Sequence, residues 1–229
     1  MCGRFANQQE SVAAWDEYFD IPMPISVREE IVLGYNIAPT QMIPVLTADS
    51  SNGNGGRKWL AARWGMIGPW VKDASDISSK FATFNARSET IAEKATFRNA
   101  WNRGQRCLIP GVGYYEWKKT EDGKQPYFAR PADLSPLFFG GLYEPARDSV
   151  SESGTGVRVP ASCTIITLPA SDTMASLHHR MPLMFSHAYG MESWLEGGTF
   201  DDHLDALSWQ AVNKSVNNTH NQGIELIKP

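Results

Sequence analysis

The cysteine at position 2 is the first residue of this chain with chemistry of its own. It directly follows Met1, so removal of that methionine leaves a chain that begins with cysteine. An N-terminal cysteine carries a thiol and, on the adjacent carbon, a free amine with a pKa of roughly 7.7–8.0. Both groups attack one aldehyde, because the amine condenses to a Schiff base and the thiol then closes a thiazolidine ring. The alternative is an ordinary exposed second residue, since position alone does not reveal whether a cysteine is reactive.

Glu116 is the second candidate for chemistry. It lies between Tyr115 and Trp117 in a segment, Gly113–Trp117, that predicts a strand. Desolvation in such an aromatic strand raises the pKa of a carboxyl group toward neutrality, where the group both donates and accepts protons. A structural salt bridge to an arginine is the alternative.

Two histidines, His178 and His179, follow a predicted short helix over Ser171–Leu177 and precede Pro182. Imidazoles shuttle protons near neutral pH, although a lone histidine is more often structural. Asn85 and Arg87 precede a helix predicted over Thr90–Trp101, which Thr90 and Glu93 would start as a capping box. Free backbone N–H groups at such a helix start favour an anionic ligand.

The rest of the pattern predicts the elements that must position these residues. Strands are expected over Met42–Leu46, Lys58–Trp64, Arg106–Pro110, Pro126–Ala129, Leu137–Tyr143, Ala161–Leu168, Ser208–Asn213 and Gly223–Ile227. Helices are expected from a cap at Asn7 to Phe19, over Ala188–Leu195 and over Asp201–Leu207, with loops at Ser51–Gly56 and Arg147–Gly156.

The composition is that of a globular protein of one large domain or two small ones: 229 residues, 42% of them hydrophobic and 20% charged. No apolar run approaches the roughly 20 residues that span a membrane, and the N-terminus lacks a signal pattern, so we expect an intracellular protein. The three cysteines form no CxxC pair, which argues against a disulfide framework or a cysteine-rich zinc site. We therefore expect neither a metal nor another cofactor.

Charge and aromatic residues suggest a nucleic-acid surface. The net charge is −4, but residues 57–130 hold 14 lysines and arginines against 7 acidic residues. This segment is either a polyanion-binding face or a set of side chains scattered over several faces. Trp64 and Trp70 lie in a loop-like run with glycines and a proline, where they would present stacking faces to bases. Core packing is their alternative.

Several motifs, in this order, resemble the SRAP family of SOS-response-associated proteins, which crosslink to abasic sites in single-stranded DNA. They are Met1-Cys2-Gly3-Arg4-Phe5, Tyr35-Asn36-Ile37-Ala38-Pro39-Thr40, Trp64-Gly65, Asn85-Ala86-Arg87-Ser88-Glu89, Gly113-Tyr114-Tyr115-Glu116-Trp117, His178-His179-Arg180-Met181-Pro182 and Asn221-Gln222-Gly223. The resemblance covers nearly the whole chain. It implies one domain over residues 1–229 with an α+β fold, in which helices flank a barrel-like, mixed and largely antiparallel sheet.

The resemblance also implies roles for individual residues. Cys2 would be the crosslinking nucleophile, Asn85 would lie beside the thiazolidine, Glu116 would be the acid and base, and His178 would aid Schiff-base chemistry and crosslink reversal. His179 replaces what is often an acidic residue, so its role stays open. DNA-binding residues would be Arg4, Asn36, Pro39, Trp64, Trp70, Arg87, Trp117 and Arg180.

The implied activity is the shielding of abasic sites by a monomer that acts on single-stranded DNA, including replication-fork DNA, in the cytoplasm and nucleoid of a bacterium or the nucleus of a eukaryote. AP-lyase cleavage and self-removal of Met1 by an autopeptidase are further activities compatible with it. Two other classes stay open: a glutamine amidotransferase that uses its N-terminal cysteine, and a noncovalent single-strand binding module.

Overall fold

Short strands dominate the chain, of which the computed structural model describes residues 2–8, 11–49, 56–72, 82–150, 154, 156–201, 203–204 and 206–229. The strands are Phe5–Asn7 (β1), Gly34–Ile37 (β2), Met42–Asp49 (β3), Gly56–Trp64 (β4), Asn85–Arg87 (β5), Arg106–Gly111 (β6), Gly113–Thr120 (β7), Gly123–Pro131 (β8), Leu137–Glu144 (β9), Arg147–Val150 (β10), Gly156–Val159 (β11), Ser162–Pro169 (β12), Arg180–Pro182 (β13), Met184–Phe185 (β14) and Leu207–Ala211 (β15). The α-helices are Val12–Phe19 (α1), Ile25–Glu30 (α2), Ala95–Asn102 (α3), Asp172–Ala175 (α4) and Ala188–Leu195 (α5), and short 3₁₀ helices cover Ser88–Thr90, Lys214–Asn217 and Ile224–Ile227.

Five of the strands close into a ring. Antiparallel pairs join β4 to β3, β3 to β6, β6 to β9 and β9 to β12, and a parallel pair between β12 and β4 completes the circle. β5 extends the parallel edge of β12, with Ile165 opposite Asn85. The closed ring leaves few exposed sheet edges. This arrangement confirms the expected α+β fold with a barrel-like, mixed and largely antiparallel sheet.

The barrel strands β6, β9 and β12 are buried on both faces, which explains their nearly continuous hydrophobic runs. In β6, Cys107 and Ile109 belong to the inner core cluster, whereas Leu108 between them belongs to the outer cluster. Helices α1, α3 and α5 cover the outer cluster, and in α1 the buried positions Val12, Trp15 and Phe19 follow helical spacing. The helices are therefore held by their apolar stripes against the barrel wall.

A second, fully antiparallel sheet has the order β15-β8-β7-β1-β2 and lies against the barrel. One face contributes Phe5 and Tyr114 to the inner core cluster. The other face, with Tyr115 and Phe128, is covered by Val216 and Leu226 of the C-terminal 3₁₀ helices. The N-terminal strand β1 thus lies inside this sheet, between β7 and β2, and not at its edge.

Two predicted helices begin later than expected. Asn7 does not cap a helix, because β1 includes it and its Oδ1 accepts a hydrogen bond from the Gly34 backbone N–H at 3.2 Å. The predicted Thr90–Trp101 helix is divided into a 3₁₀ turn and α3, because Lys94 adopts an extended conformation between them (φ −67°, ψ 124°). The expected capping box is therefore wrong as the start of α3.

Three other expectations near the C-terminal half are also wrong. The Arg147–Gly156 loop contains β10, which pairs with β11 in a hairpin, while residues 151–153 and 155 lie outside the described residues. The described residues of the expected Asp201–Leu207 helix are not helical, because Leu207 begins β15 beside β8. The expected Gly223–Ile227 strand is a 3₁₀ helix, which buries Leu226 under the second sheet.

Most other expected strands, the Ala188–Leu195 helix and a short helix within Ser171–Leu177 are confirmed in place. The Ser51–Gly56 loop falls almost wholly outside the described residues, although the β3–β4 hairpin that flanks it is formed. None of the described helices combines the length and the apolar character that crossing a bilayer requires.

Candidate active site

The second sheet delivers the N-terminus to the barrel. β1 is inserted between β2 and β7, with Phe5 opposite both Ile37 and Tyr114. The Phe5 ring packs edge-on against Trp64 and Phe139 of the barrel, at centroid distances of 5.0 and 5.4 Å. Because β1 is paired on both sides and anchored by this aromatic contact, the residues before it have a fixed position.

Cys2 is almost fully buried, at 1% exposure. Its backbone carbonyl accepts a hydrogen bond of 2.6 Å from Nδ2 of Asn85, which begins β5. This bond joins the N-terminal segment to the barrel edge. The Asn85 Oδ1 atom is buried and has no hydrogen-bond partner among the described residues, so it is available to a ligand beside Cys2.

Burial raises the pKa of the Cys2 thiol well above its usual value, and the negative charge of Glu116 raises it further. The backbone N–H of Arg4 acts in the opposite direction. In the free protein the thiol is therefore protonated at neutral pH. The expectation that Cys2 is simply an exposed residue is wrong.

Glu116 and His178 come together next to Cys2. Glu116 lies in β7 and is buried, and its Oε1 accepts a hydrogen bond from the Trp117 backbone N–H at 3.2 Å. Oε2 lies 3.8 Å from Nδ1 of His178, which the turn between α4 and β13 positions. The backbone N–H of Arg180 donates to the same Nδ1 at 3.0 Å. The pair places a carboxylate and an imidazole, two groups able to transfer protons, close to one nucleophile.

His179 lies outside this buried group. It is exposed, and its ring contacts that of His178 in a tilted arrangement with centroids 4.3 Å apart. The charge of His178 lowers the pKa of His179, with smaller contributions from burial, the amino terminus, Arg180 and Arg87. His179 therefore lies near several positively charged groups, and its own ring is neutral over most of the physiological pH range.

Arg180, next to His179, joins β13 to β12. Its guanidinium forms a two-pronged ion pair with Glu89 and also donates to the carbonyl and hydroxyl of Thr167. These bonds hold the pKa of Glu89 at about 2. Arg180 is buried in this arrangement, so a DNA phosphate would have to replace Glu89 to reach it. Its DNA contact stays a prediction.

Asn36 points into the protein. It is fully buried, and its Nδ2 donates to the backbone carbonyls of Val216, Asn218 and Asn221 at 2.9–3.2 Å. Its Oδ1 accepts a hydrogen bond of 2.7 Å from Arg4. The polar groups of the side chain therefore hold the C-terminal segment and Arg4, and the predicted DNA contact at Asn36 stays a prediction.

We expect the Asn36→Ala substitution to lower the free energy of unfolding by about 2–3 kcal/mol, because it strands several buried polar groups. Urea denaturation measures this change. Asn102→Ala, at an exposed position, is the control and should stay within about 0.5 kcal/mol of the unsubstituted protein. Equal unfolding free energies for the two variants would contradict the stabilising role of the Asn36 hydrogen bonds.

The predicted aromatic contacts divide into different classes. Trp64 ends β4, is fully buried, and donates its indole N–H to the Phe84 carbonyl at 3.0 Å. This is the core packing that was the alternative for Trp64, and its stacking on DNA bases stays a prediction. Trp70 is 58% exposed and remains available for stacking. Trp117 lies on the face of β7 opposite to Glu116 and donates to Asn217 Oδ1 at 2.8 Å. Its DNA contact, like that of half-buried Pro39, stays a prediction.

An open cavity of about 610 Å³ adjoins Asn85. Its floor is apolar and its rim carries the exposed Trp70, Arg87 and Lys94, and the lining includes Met66 and Ile67. An aromatic ring and two cations around an apolar floor are suited to a nucleotide, because bases stack and phosphates are neutralised there. The cavity opens beside the buried group that contains Cys2.

The basic segment as a whole does not form one face. Arg57 pairs with Glu192 at 3.1 Å and Arg103 pairs with Glu144 at 2.7 Å. Arg106 is buried, with its guanidinium 4.5 Å from the ring centroid of Trp101. These three residues make contacts on the outside of the barrel. Among the described residues of the segment, Arg87 and Lys94 are the cations that border the cavity.

Sequence reasoning missed two contributors. Gln222 holds the backbone of Asn36 with two bonds of 3.1 Å through its amide group. Tyr114 shares the face of β7 that carries Glu116, which the alternation of side chains along a strand could have revealed. Within the described residues, no three histidine, cysteine or acidic side chains group closely enough to hold a metal ion.

Comparison with known proteins gives relatives that match most or nearly all of this chain. The abasic site processing protein YoaM of Bacillus subtilis is 34% identical over 239 residues, which cover 99% of this chain and 97% of YoaM. The abasic site processing protein HMCES of Xenopus tropicalis is 29% identical, and the match covers 82% of this chain and 63% of HMCES.

Solved structures show the same fold. A crystal structure of a Bordetella bronchiseptica protein has a TM-score of 0.73 with 26% identity and covers 93% of this chain and 100% of its own. One from Bacteroides thetaiotaomicron has a TM-score of 0.77 with 18% identity and covers 99% of both chains. The model of the family described as SOS response associated peptidase matches residues 1–219. By its sequence over nearly its whole length, this chain belongs to the SRAP family.

Proposed function

We propose that this protein recognises abasic sites in single-stranded DNA and shields them by a covalent bond to Cys2, after removal of Met1. One observation carries the proposal: buried Cys2 is bonded to Asn85 and lies in the field of Glu116, which half-buried His178 approaches, beside a cavity with a cationic and aromatic rim. The names of the relatives, which are abasic site processing proteins, support the same substrate. We take the protein to act inside the cell as a single domain and a monomer, without a cofactor, on DNA that includes replication forks.

The chemistry begins with the abasic sugar, which must open from its cyclic hemiacetal to an aldehyde. The hydroxyl at the anomeric carbon loses a proton and the ring oxygen gains one, so one group that accepts and returns a proton serves both steps. Glu116 has this role in our proposal. His178, 3.8 Å from its carboxylate, is the second proton carrier.

The amine of Cys2 then attacks the aldehyde and a water molecule leaves, which gives an imine. The thiol adds across the C=N bond: sulfur bonds to carbon, and the thiol proton ends on nitrogen. The raised pKa of the thiol explains this order, because an α-amine with a pKa of roughly 7.7–8.0 is partly unprotonated at neutral pH when the buried thiol is still neutral. The backbone bond from Asn85 fixes both nucleophiles during the two additions.

Gel electrophoresis under denaturing conditions tests the proposal. Protein shown by mass spectrometry to lack Met1 is incubated with a single-stranded oligonucleotide that carries one abasic site. We expect an adduct that survives heating, has the summed mass of both partners less one water, and leaves no free thiol at Cys2. A tetrahydrofuran analogue of the abasic site, which cannot open to an aldehyde, is the matched control and should give no adduct.

Two outcomes would redirect the proposal. Tight binding without a covalent adduct would favour the noncovalent binding module. Absence of both binding and adduct would favour an N-terminal-cysteine amidohydrolase. AP-lyase activity would appear as strand cleavage in the same assay, because an imine that the thiol does not trap is open to β-elimination. Self-removal of Met1 would appear as loss of Met1 that depends on Glu116 or His178.

We propose that Arg87 binds a DNA phosphate at the rim of the cavity, since it is exposed and its electrostatic effect reaches His179. We expect Arg87→Ala to weaken binding of intact single-stranded DNA about 5- to 10-fold and to reduce the salt slope by roughly 0.7. Fluorescence anisotropy over a range of salt concentrations measures both. Arg57→Ala, which removes a cation already paired with Glu192, should change neither, and an Arg87→Ala slope equal to that of Arg57→Ala would remove the phosphate contact.

A further inference from the structure

The hydroxyl group of Tyr114 is buried and makes no hydrogen bond to any residue in the described part of the chain. Tyr114 lies in β7 at 0% exposure, and its Oη has no hydrogen-bond partner among the described residues. A hydroxyl that is buried in this way destabilises the folded protein, because it gave up water without gaining another bond. Phenylalanine would fill the same space without this penalty, so the oxygen needs an explanation.

The geometry of β7 places this oxygen on the reactive face. Side chains alternate along a strand, so Tyr114 and Glu116 point to one face while Tyr115 and Trp117 point to the other. Tyr114 is directly opposite Phe5 in the register of β1 and shares the inner core cluster with Cys2. Its ring also packs edge-on against Phe139 at 6.4 Å, which restricts its movement.

The electrostatic surroundings of Tyr114 agree with its place on this face. The pKa of Tyr114 is well above its usual value, first because of burial and then because of negative charge at Cys2 and at Glu116. The phenol is therefore protonated throughout the physiological range, so it donates a hydrogen bond and does not act as a base. The positive amino terminus and, less strongly, a hydrogen bond from the Arg4 backbone N–H lower the pKa of Cys2, but burial and the charge of Glu116 outweigh them.

We propose that Tyr114 is a positioning residue whose hydroxyl donates a hydrogen bond to the sulfur of Cys2 as the thiol loses its proton. The bond forms when sulfur adds to the imine carbon and the thiol proton passes to the imine nitrogen. The tyrosine keeps its own proton throughout, so the step needs no further reactant. This inference rests on the proposed thiazolidine chemistry, and it explains how a buried thiol becomes nucleophilic at neutral pH.

The test compares the unsubstituted protein with Tyr114→Phe, both lacking Met1. The first measurement is the pH profile of Cys2 alkylation by iodoacetamide, followed by mass spectrometry without DNA. We expect the profile of Tyr114→Phe to move to higher pH by about one unit and alkylation at pH 7.5 to slow about 10-fold. Formation of the heat-stable adduct with abasic DNA should slow by a similar factor.

Thermal unfolding separates this role from a structural one. Removing an unpaired buried hydroxyl should leave Tm unchanged or raise it by about 2–4 °C, whereas loss of a structural hydrogen bond would lower it. Tyr115→Phe is the matched control, since its hydroxyl donates to the Tyr35 carbonyl at 2.6 Å on the opposite face. We expect that variant to have a lower Tm and an unchanged alkylation profile.

Three results have distinct meanings. An alkylation profile of Tyr114→Phe that coincides with that of the unsubstituted protein overturns the inference, even if the adduct forms more slowly. A lowered Tm with an unshifted profile overturns it as well, since it shows a structural role. Failure of the unsubstituted protein to form any adduct counts against the proposed function instead, because the alkylation measurement does not use DNA.

Discussion

The Cys2→Ala substitution is expected to reduce the heat-stable adduct with abasic DNA by at least about 100-fold. The ring closure depends on a thiol held next to the amine, and such proximity supplies a large part of the rate of an intramolecular reaction. Alanine keeps the N-terminal amine, so imine formation should persist. Borohydride, which reduces an imine to a stable amine, should therefore still trap the variant on DNA.

Strand cleavage should change in the opposite direction. Without sulfur to trap it, the imine has more time to undergo β-elimination, so Cys2→Ala should cleave more abasic DNA per imine formed than the unsubstituted protein. Cys2→Ser is the matched control, because its hydroxyl has nearly the same position but is a weaker nucleophile than a thiolate. An unchanged amount of heat-stable adduct with Cys2→Ala would show that another residue forms the bond to DNA, and it would contradict the role proposed for Cys2.

The residues proposed to react could be selected from the sequence because their chemistry is local. A cysteine after Met1 and a glutamate in an aromatic strand indicate function by residue type and position, and the structure brings Cys2, Glu116, Asn85 and His178 together. Their roles stay predictions until the variants are measured. The barrel strands were predictable for a similar reason, since apolar runs such as that of β12 contain their own signal.

The burial of Asn36 and Trp64 was less predictable from the sequence, because it depends on partners far along the chain. Asn36 is buried by carbonyls that lie 180 to 185 residues away in sequence, and Trp64 is buried by the N-terminal Phe5. Neither contact has a local signature. The prediction at the N-terminus was wrong for the same reason. Asn7 was expected to cap a helix, but β1, which includes Asn7, forms part of a sheet with the distant strand β7.

Burial of the nucleophile favours a site that is selective for its substrate. A thiol with a raised pKa is a poor nucleophile toward other electrophiles in the cell, since the thiolate is the reactive form. It becomes effective when an imine forms beside it and donors stabilise the developing charge. In the proposed mechanism, the same burial that protects Cys2 makes the reaction depend on the placement of Glu116, His178 and Tyr114.

Glu116→Gln is expected to slow adduct formation by about 100- to 1,000-fold while binding of single-stranded DNA is retained. Glutamine has nearly the same shape and still accepts the Trp117 backbone hydrogen bond, but it cannot take up and return a proton, and general acid–base catalysis commonly contributes this factor. Single-turnover kinetics on denaturing gels measure the rate, and anisotropy with intact DNA measures binding. The dependence of the rate on pH should also become flatter.

Glu144→Gln provides the matched control, because Glu144 is an equally buried glutamate that pairs with Arg103 on the barrel wall. It should lose stability and keep its rate of adduct formation. Combining Glu116→Gln with His178→Ala tests whether the two residues act as a unit: the rate of the double variant should then be close to that of Glu116→Gln alone. Multiplicative losses would show independent roles, and a Glu116→Gln rate equal to that of Glu144→Gln would remove the carboxylate from the proton-transfer step altogether.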